Sequence, residues 1–554
     1  MSPETYVFRP RRYLEKEDFE KYLQLVRKVA TFDASTKHWV FSPEIAAKYF
    51  GSSDELLDHL IELRSYVDLD YSTILDLVDL FEDYLDRLKC VIVTREGGLL
   101  RLRVHRRYFR DVLSILREVA VVSYYIEVPK VDEVTGEFQG TELVEKRLKL
   151  YRVAKVGEEF VTPVGLLHVL RKELQRRGFG TDVKIEVRKF DRDVPMELNF
   201  KLYPYQEEVY SKWLEAGCRG TVAIFTRGGK SFIAMKAIYD LKVPTVIFVT
   251  TRELAYTWRE YLKKYLSIPE SYIGYIGEGE FSIRPVTIAT YKSAVQHIER
   301  LKQVFELAIY DESHHVPAKT FKTVAIHLDS LYRLALSATP ERRDMNHELL
   351  YRLCGDLLAS IDYIQLVRLK VVAPIEVFDT LYARDQSEKL LHLLAVLDKH
   401  RNEKIFVFTQ YRKTAEKLYT ELMKRGYKVA LITGETPQSK RALAFKEFIS
   451  GQVNIIVTTT VLDEGITVPD ADVAVIYEGT GEARQMIQRI GRVLGYMPGK
   501  TAKVYEIVDL SNTRERNAHL RRRWVRDLYM KPEVRKYVLE EKKLTTQKLM
   551  SDYL

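Results

Sequence analysis

Between about residue 200 and residue 510, short apolar runs keep returning, each separated from the next by an amphipathic helical stretch. TVAIF (221–225), TVIFVT (245–250), VTIAT (286–290), LAIYDE (307–312) and LALSAT (334–339) make a first series. KIFVFT (404–409), YKVALIT (427–433), VNIIVTT (453–459), VAVIY (473–477) and AKVYEIV (502–508) make a second. Runs this short that do not alternate apolar with polar read as strands covered on both faces. Strands alternating with helices build βαβ units around a parallel sheet. The chain therefore reads as α/β, with two parallel-sheet domains in tandem at about 200–345 and 370–510. Residues 1–195 differ, mixing helical periods (EDFEKYLQLVRKVA, ELLDHLIELRSYV) with strand-like KHWVF and CVIVTREGGLLRLRV. That mixture reads as an α+β domain. The segment after 510, NTRERNAHLRRRWVRDLYMK, reads as a basic helix.

Composition narrows the setting. No apolar stretch approaches the roughly 18 residues of a membrane span, and the N-terminus is charged without an apolar core. Three scattered cysteines, Cys90, Cys218 and Cys354, form no CxxC pair and no disulfide framework, which fits a reducing cytoplasm and excludes a structural zinc site of close cysteine pairs. Lys plus Arg exceed Asp plus Glu by 87 − 78 = 9, an excess that permits a polyanionic partner without requiring one.

Two strand ends carry the chemistry. After TVAIF comes Thr226-Arg227-Gly228-Gly229-Lys230-Ser231, followed by the helical FIAMKAIYDL. Small residues let a loop turn its amides toward phosphate, a Lys serves the β/γ oxygens, and a Ser at the helix start serves magnesium. After LAIY come Asp311 and Glu312, with His314 and His315 beyond. Adjacent histidines on a strand point to opposite faces, which argues against a metal cluster. In phosphoryl transfer one carboxylate holds magnesium and a second orients the attacking water. Asp311 and Glu312 suit those roles in that order, making the pair the acidic half of an ATP–Mg2+ site.

Four further stretches join these two: LYPYQEEVY (202–210), TTRELAYTW (250–258), IATYKSA (288–294) and LSATPER (336–342). With VTTTVLDEGITVPDADV (457–473) and QMIQRIGRVLG (485–495), the chain resembles the superfamily 2 helicases and translocases over roughly 200–510. The resemblance implies two RecA-like lobes, at 196–365 and 366–510, behind an N-terminal domain at 1–195 and before a basic helical tail at 511–554. It implies that Gln206 reads adenine, and that Thr226 to Ser231 and Gly465 line the nucleotide. It implies that Thr251, Arg252, Thr290, Tyr291, Thr458 and Thr460 contact a nucleic-acid strand. Ser337, Thr339, Arg342 and Asp344 would couple hydrolysis to movement, and Arg489 and Arg492 would reach the γ-phosphate as arginine fingers.

Within that superfamily the DESHH and VLDEGITVPDADV stretches are most similar to the archaeal XPB-type DNA helicases. KHWVF and FVTPVGLLHVLRKELQRRGFGTDVKIEV (160–187) are similar to that group's DNA-damage-recognition region. The implied function is ATP-dependent 3′→5′ translocation on DNA in repair or duplex opening, with a nuclease or other repair protein as partner. A sister branch holding an iron–sulfur cluster on four cysteines is excluded by the count of three. The chain departs from the pattern at Arg227, where Gly is usual, at Thr467, where Asp is usual, and at Gly495, where Arg is usual. Arg342-Arg343-Asp344 stands where the group carries Arg-Glu-Asp. Only ARDQSEKLLHLLAVLDKHRNE (383–403) occupies the place of its helical thumb, enough for one helix. Two other classes stay open: the motor subunit of a restriction or repair nuclease, although no PD…ExK cluster is present, and a DNA-binding scaffold whose ATPase has weakened.

Overall fold

The apolar runs of the first series become the centre of one sheet in the computed structural model, which describes residues 6–11, 13–131, 138–191, 193–313, 318–338, 347–460 and 471–552. Its strands are β1 (Arg219–Ile224), β2 (Thr245–Val249), β3 (Ile273–Gly277), β4 (Glu280–Ser282), β5 (Val286–Thr290), β6 (Leu307–Tyr310), β7 (Tyr332–Ser337) and β8 (Leu357–Ile361). They lie in the order β4-β3-β5-β2-β6-β7-β1-β8, parallel throughout except for the β3–β4 hairpin. The central strands are buried along their whole length, as a sheet covered by helices on both faces requires. The strands ending in the phosphate-loop sequence and in the acid pair, β1 and β6, are not neighbours. β7 runs between them and pairs in parallel with both.

The second series forms a six-stranded, all-parallel sheet. Its members are β9 (Ile375–Ala383), β10 (Ile405–Phe408), β11 (Val429–Ile432), β12 (Ile455–Thr458), β13 (Val473–Ile476) and β14 (Ala502–Asp509), in the order β9-β14-β13-β10-β12-β11. Two tandem RecA-like lobes result.

Helices α1 (Pro204–Glu215), α2 (Lys230–Leu241), α3 (Arg252–Leu266), α4 (Tyr291–Gln296), α5 (Ala318–His327), α6 (His347–Cys354) and α7 (Tyr363–Arg368) belong to the first lobe and the crossing out of it. In α3 the start is set by Thr251, whose hydroxyl accepts from the Leu254 amide at 3.2 Å, and by Glu253 in the first turn. Ala255, Trp258, Leu262 and Leu266 then bury one face. In the second lobe α8 (Gln386–Lys399) is the single helix between β9 and β10, and α9 (Ala483–Gly491) follows β13.

The chain after 510 is three helices rather than one basic rod: α10 (Thr513–Arg522), α11 (Val525–Tyr529) and α12 (Val534–Asp552). Val525 and Tyr529 are fully buried. The Tyr529 ring lies 5.6 Å from that of Phe225, 4.8 Å from Tyr363 and 6.3 Å from Phe378, measured between centroids. An aromatic pair that close contributes about 1 kcal/mol beyond the area it buries.

By its contacts the chain divides into one unit of residues 1–121 with 149–186 and a second of 122–148 with 187–554. The first unit holds a small antiparallel sheet (Val7–Phe8, His38–Phe41, Ala30–Asp33) among four helices. It also holds a five-stranded sheet whose central hairpin, Cys90–Glu96 with Leu99–Arg103, turns on Gly97 and Gly98, both at positive φ. Residues 187–195 go with the second unit, where Arg188 donates to Asp329 at 2.8 Å. Among the described residues no helix is long and apolar enough to cross a membrane.

Candidate active site

Beyond the buried end of β1 the chain reverses through Phe225–Gly229 and enters α2 at Lys230. Two residues of this loop stand in left-handed backbone, Arg227 at φ +66° and Gly229 at φ +72°. Gly228 is required for another reason: a Cβ there would lie 2.2 Å from Ile224 Cγ2 and 3.0 Å from the Phe225 carbonyl oxygen. Helix α1 braces the loop from behind. Tyr205 Oη donates to the Gly228 carbonyl at 2.6 Å, and Gln206 Nε2 donates to the Gly228 and Gly229 carbonyls, both at 3.2 Å. A Cβ on Gly229 would lie 2.5 Å from Gln206 Nε2, so this is a cradle that only glycine leaves open. Burial raises the Tyr205 phenol to about 12, keeping it a donor to this loop across the working pH range.

The acid pair faces this loop. Lys230 Nζ donates to Glu312 Oε1 at 2.5 Å. Asp311 is buried, with Oδ1 accepting from the Glu312 amide at 2.9 Å and Oδ2 from the Trp258 indole N–H at 2.8 Å. Burial first, and the adjoining Glu312 charge second, push the Asp311 carboxyl above the ordinary range, while Lys230 and Trp258 oppose that shift. Glu312 sits at φ +48°, so both the loop and the acid pair hold a non-glycine residue in left-handed backbone, where strain gathers at functional sites.

A helix N-terminus, a lysine, two carboxylates and a serine at the second helical position suit a magnesium-bound triphosphate. The Thr226 hydroxyl oxygen adds to that fit, being buried with no hydrogen-bond partner among the described residues. It faces the second lobe, since a methyl placed on Gly491 would lie 3.5 Å from Thr226 Oγ1.

Several residues lie elsewhere than the resemblance suggests. Tyr291, expected on a strand-contacting surface, is only 3% exposed, and its hydroxyl donates to the Asp311 carbonyl at 3.1 Å. As the first residue of α4 it turns inward against Phe248, with ring centroids 5.6 Å apart, so it braces the acid pair instead. Thr458 is likewise buried at the end of β12, its carbonyl accepting from the Thr409 amide at 2.8 Å. Thr460 is exposed. Arg489 is fully buried, donating to the Glu478 carbonyl at 2.6 Å and the Thr409 carbonyl at 3.0 Å, so its guanidinium ties two strand ends together within the second lobe. Arg492 caps α9, and its carbonyl accepts from Arg227 Nη2 at 3.4 Å across the lobes.

Other expected residues fall as follows. Arg252 is exposed at the start of α3, paired with Glu278 at 2.5 Å and with the Tyr256 hydroxyl at 2.7 Å. Thr290 caps α4, accepting from the Ser293 amide at 3.3 Å. Ser337 is buried at the end of β7. His314, His315, Thr339, Arg342, Asp344, Gly465 and Thr467 lie outside the described residues. Sequence reading missed Tyr205 and Trp258, although both stand inside stretches it singled out. The only signal was an aromatic within each stretch, which reads equally well as core.

Family models bear on the same stretches. One described as "Helicase conserved C-terminal domain" matches residues 385–494, and one described as "Type III restriction enzyme, res subunit" matches residues 199–342. The chain is 30% identical over 400 residues to the DNA 3′-5′ translocase XPB2 of Sulfurisphaera tokodaii, covering 61% of this chain and 88% of that protein. It is 28% identical over 328 residues to the DNA 3′-5′ helicase XPB of Kineococcus radiotolerans, covering 54% of this chain and 58% of that protein. Of two further relatives, from Halobacterium salinarum and Haloarcula marismortui, it spans 57% and 54%. Among solved structures, the Hef helicase domain of Pyrococcus furiosus aligns over 56% of this chain and 96% of its own, at 19% identity and a TM-score of 0.41.

Proposed function

This chain belongs to the XPB-type DNA helicases and translocases, and we propose that it is an ATP-driven motor that moves 3′→5′ along DNA and opens duplex for repair. The observation that carries this reading is the Lys230–Glu312 contact beside Asp311, which joins the phosphate loop to the acid pair. Ser231 and Asp311 would hold magnesium, whose charge neutralises the β- and γ-phosphate oxygens when bound. Lys230 leaves Glu312 for the phosphate, which releases the Glu312 carboxylate to orient the attacking water. Of the two arginines in α9 and its cap, we assign the finger from the second lobe to Arg492, because the Arg489 guanidinium is committed to the carbonyls of Glu478 and Thr409. On the other side Thr251, Arg252, Thr290 and Thr460 supply strand contacts, with Glu278 yielding Arg252 to a DNA phosphate. Those contacts are electrostatic and weaken with salt. The cysteine usage favours work in the cytoplasm, with a repair nuclease as a fitting partner.

Steady-state ATP hydrolysis with and without DNA tests the reading. DNA stimulates the wild-type chain, and Lys230→Ala or Glu312→Gln lowers turnover by about a hundredfold or more, the usual loss for one phosphoryl-stabilising or water-orienting group. Wild-type turnover in Glu312→Gln removes Glu312 from its role, and DNA-independent turnover in the wild type removes DNA as the track.

A further inference from the structure

The Mg2+-holding carboxylate proposed above has a partner to which no role has yet been given, at the far end of the stretch that holds Thr251 and Arg252. Trp258 is 1% exposed, on the face of α3 whose other buried residues are Ala255, Leu262 and Leu266. Its indole N–H is the single polar group that face buries, and it donates to Asp311 Oδ2 at 2.8 Å. Asp311 Oδ1 meanwhile accepts from the Glu312 amide at 2.9 Å, and the Asp311 carbonyl accepts from Tyr291 at 3.1 Å. The carbonyl is thus held by Tyr291 of α4 and one carboxylate oxygen by the neighbouring amide, and among the described residues Trp258 is the group that fixes the second oxygen.

We propose that Trp258 is a positioning residue for magnesium: its indole N–H sets the rotation of the Asp311 carboxylate that would hold the cation. A hydrogen bond to an ionised acceptor is worth about 1.5–3 kcal/mol, enough to hold one rotamer against its alternatives. Partners that orient ligand carboxylates typically change metal affinity about 10- to 100-fold when removed. The helix carrying the indole also begins at Thr251 and Arg252, six residues and about 9 Å away. One rigid element therefore joins the strand-contacting end to the carboxylate.

A buried indole needs an acceptor in any case, and a control separates packing from positioning. Trp213, in the same lobe and equally buried, donates to the carbonyl of Arg333 at 3.0 Å, away from the acid pair. Trp258→Phe and Trp213→Phe each remove one buried N–H and keep a ring.

The inference rests on the ATP–Mg2+ reading of this site, and the experiment measures binding by the full chain. A fluorescent non-hydrolysable ATP analogue is titrated with Mg2+ and, separately, in EDTA. Trp258→Phe raises the half-saturating Mg2+ about tenfold and leaves the EDTA affinity unchanged, while Trp213→Phe lowers the thermal midpoint without moving the Mg2+ curve. Trp258→Met, whose flexible side chain fills part of the same space, gives the same Mg2+ shift if the Phe variant folds poorly. An unmoved Mg2+ curve in a folded Trp258 variant, or an equal shift in Trp213→Phe, overturns the proposal. A wild-type chain that binds no nucleotide at any Mg2+ concentration overturns the ATP reading along with it.

Discussion

Arg227 holds a backbone conformation that glycine adopts freely and arginine adopts at a cost of about 1 kcal/mol. The loop keeps its closest approach through Gly228 and Gly229, so the bulk of Arg227 does not block phosphate. Its side chain reaches instead to the carbonyl of Arg492, at the negative end of α9. An arginine there clasps the phosphate loop to the opposite lobe and slows any step that needs the cleft to open. Arg227→Gly relaxes the backbone and removes the clasp. DNA-saturated turnover then rises, by up to about fivefold for a contact worth about 1 kcal/mol. A sharp fall in turnover would instead make Arg227 a phosphate ligand. The identity of Lys230, Asp311 and Glu312 was legible because phosphate and metal chemistry demand those residue types at strand ends. The inward turn of Tyr291 and Arg489 was not, since exposure depends on neighbours that arrive from distant strands.

Among elements, the junction of α5, α6 and β7 shows what an apolar pattern conceals. LALSAT reads as a covered strand, and the strand that forms, Tyr332–Ser337, starts two residues earlier and takes in Arg333. Arg333 is in fact fully buried, donating to the carbonyls of Ala325 at 2.6 Å, Leu328 at 2.5 Å, Leu353 at 3.0 Å and Ser330 at 3.2 Å. It therefore closes the C-terminal ends of two helices, whose last carbonyls lack helical donors. Arg333→Met strands those acceptors, and even after the partial relief of the neighbouring Arg219 it lowers stability by about 3 kcal/mol, read as a lower midpoint of the first thermal transition. Arg219 feels that neighbour: burial, and then the Arg333 charge, bring its guanidinium down to about 9. An unchanged midpoint would show that water reaches these carbonyls. The central strands were readable from period and length. The hairpin β3–β4 and the edge strands β8 and β9 were not, because edges are half-covered and IGYIG carries two glycines that strand propensity disfavours.

At the scale of the molecule, the lobes meet through Arg227 and Arg492 and through the aromatic cluster that Tyr529 completes. The chain after 510 is thus part of the motor, a role its basic composition hid behind WVRDLY. In the second lobe α8 spends Leu393, Leu394, Val396 and Leu397 against the sheet, and no other helix lies between β9 and β10 to project as a thumb. We therefore predict that the lone chain moves along DNA but separates long duplexes poorly, read as a strand-separation yield that falls with duplex length; processive separation by the purified chain would contradict this. In the first unit Arg101 and Arg103 are paired with Glu159 at 2.8 Å and 3.2 Å, so its basic sequence overstates the charge it offers to DNA. The most direct measurement of the central claim is ATP-driven displacement of streptavidin from biotin at either end of a DNA strand, presented alone or paired. Displacement from the 5′ end, lost in Glu312→Gln, is the predicted result; ATP hydrolysis with no displacement from either end would contradict it.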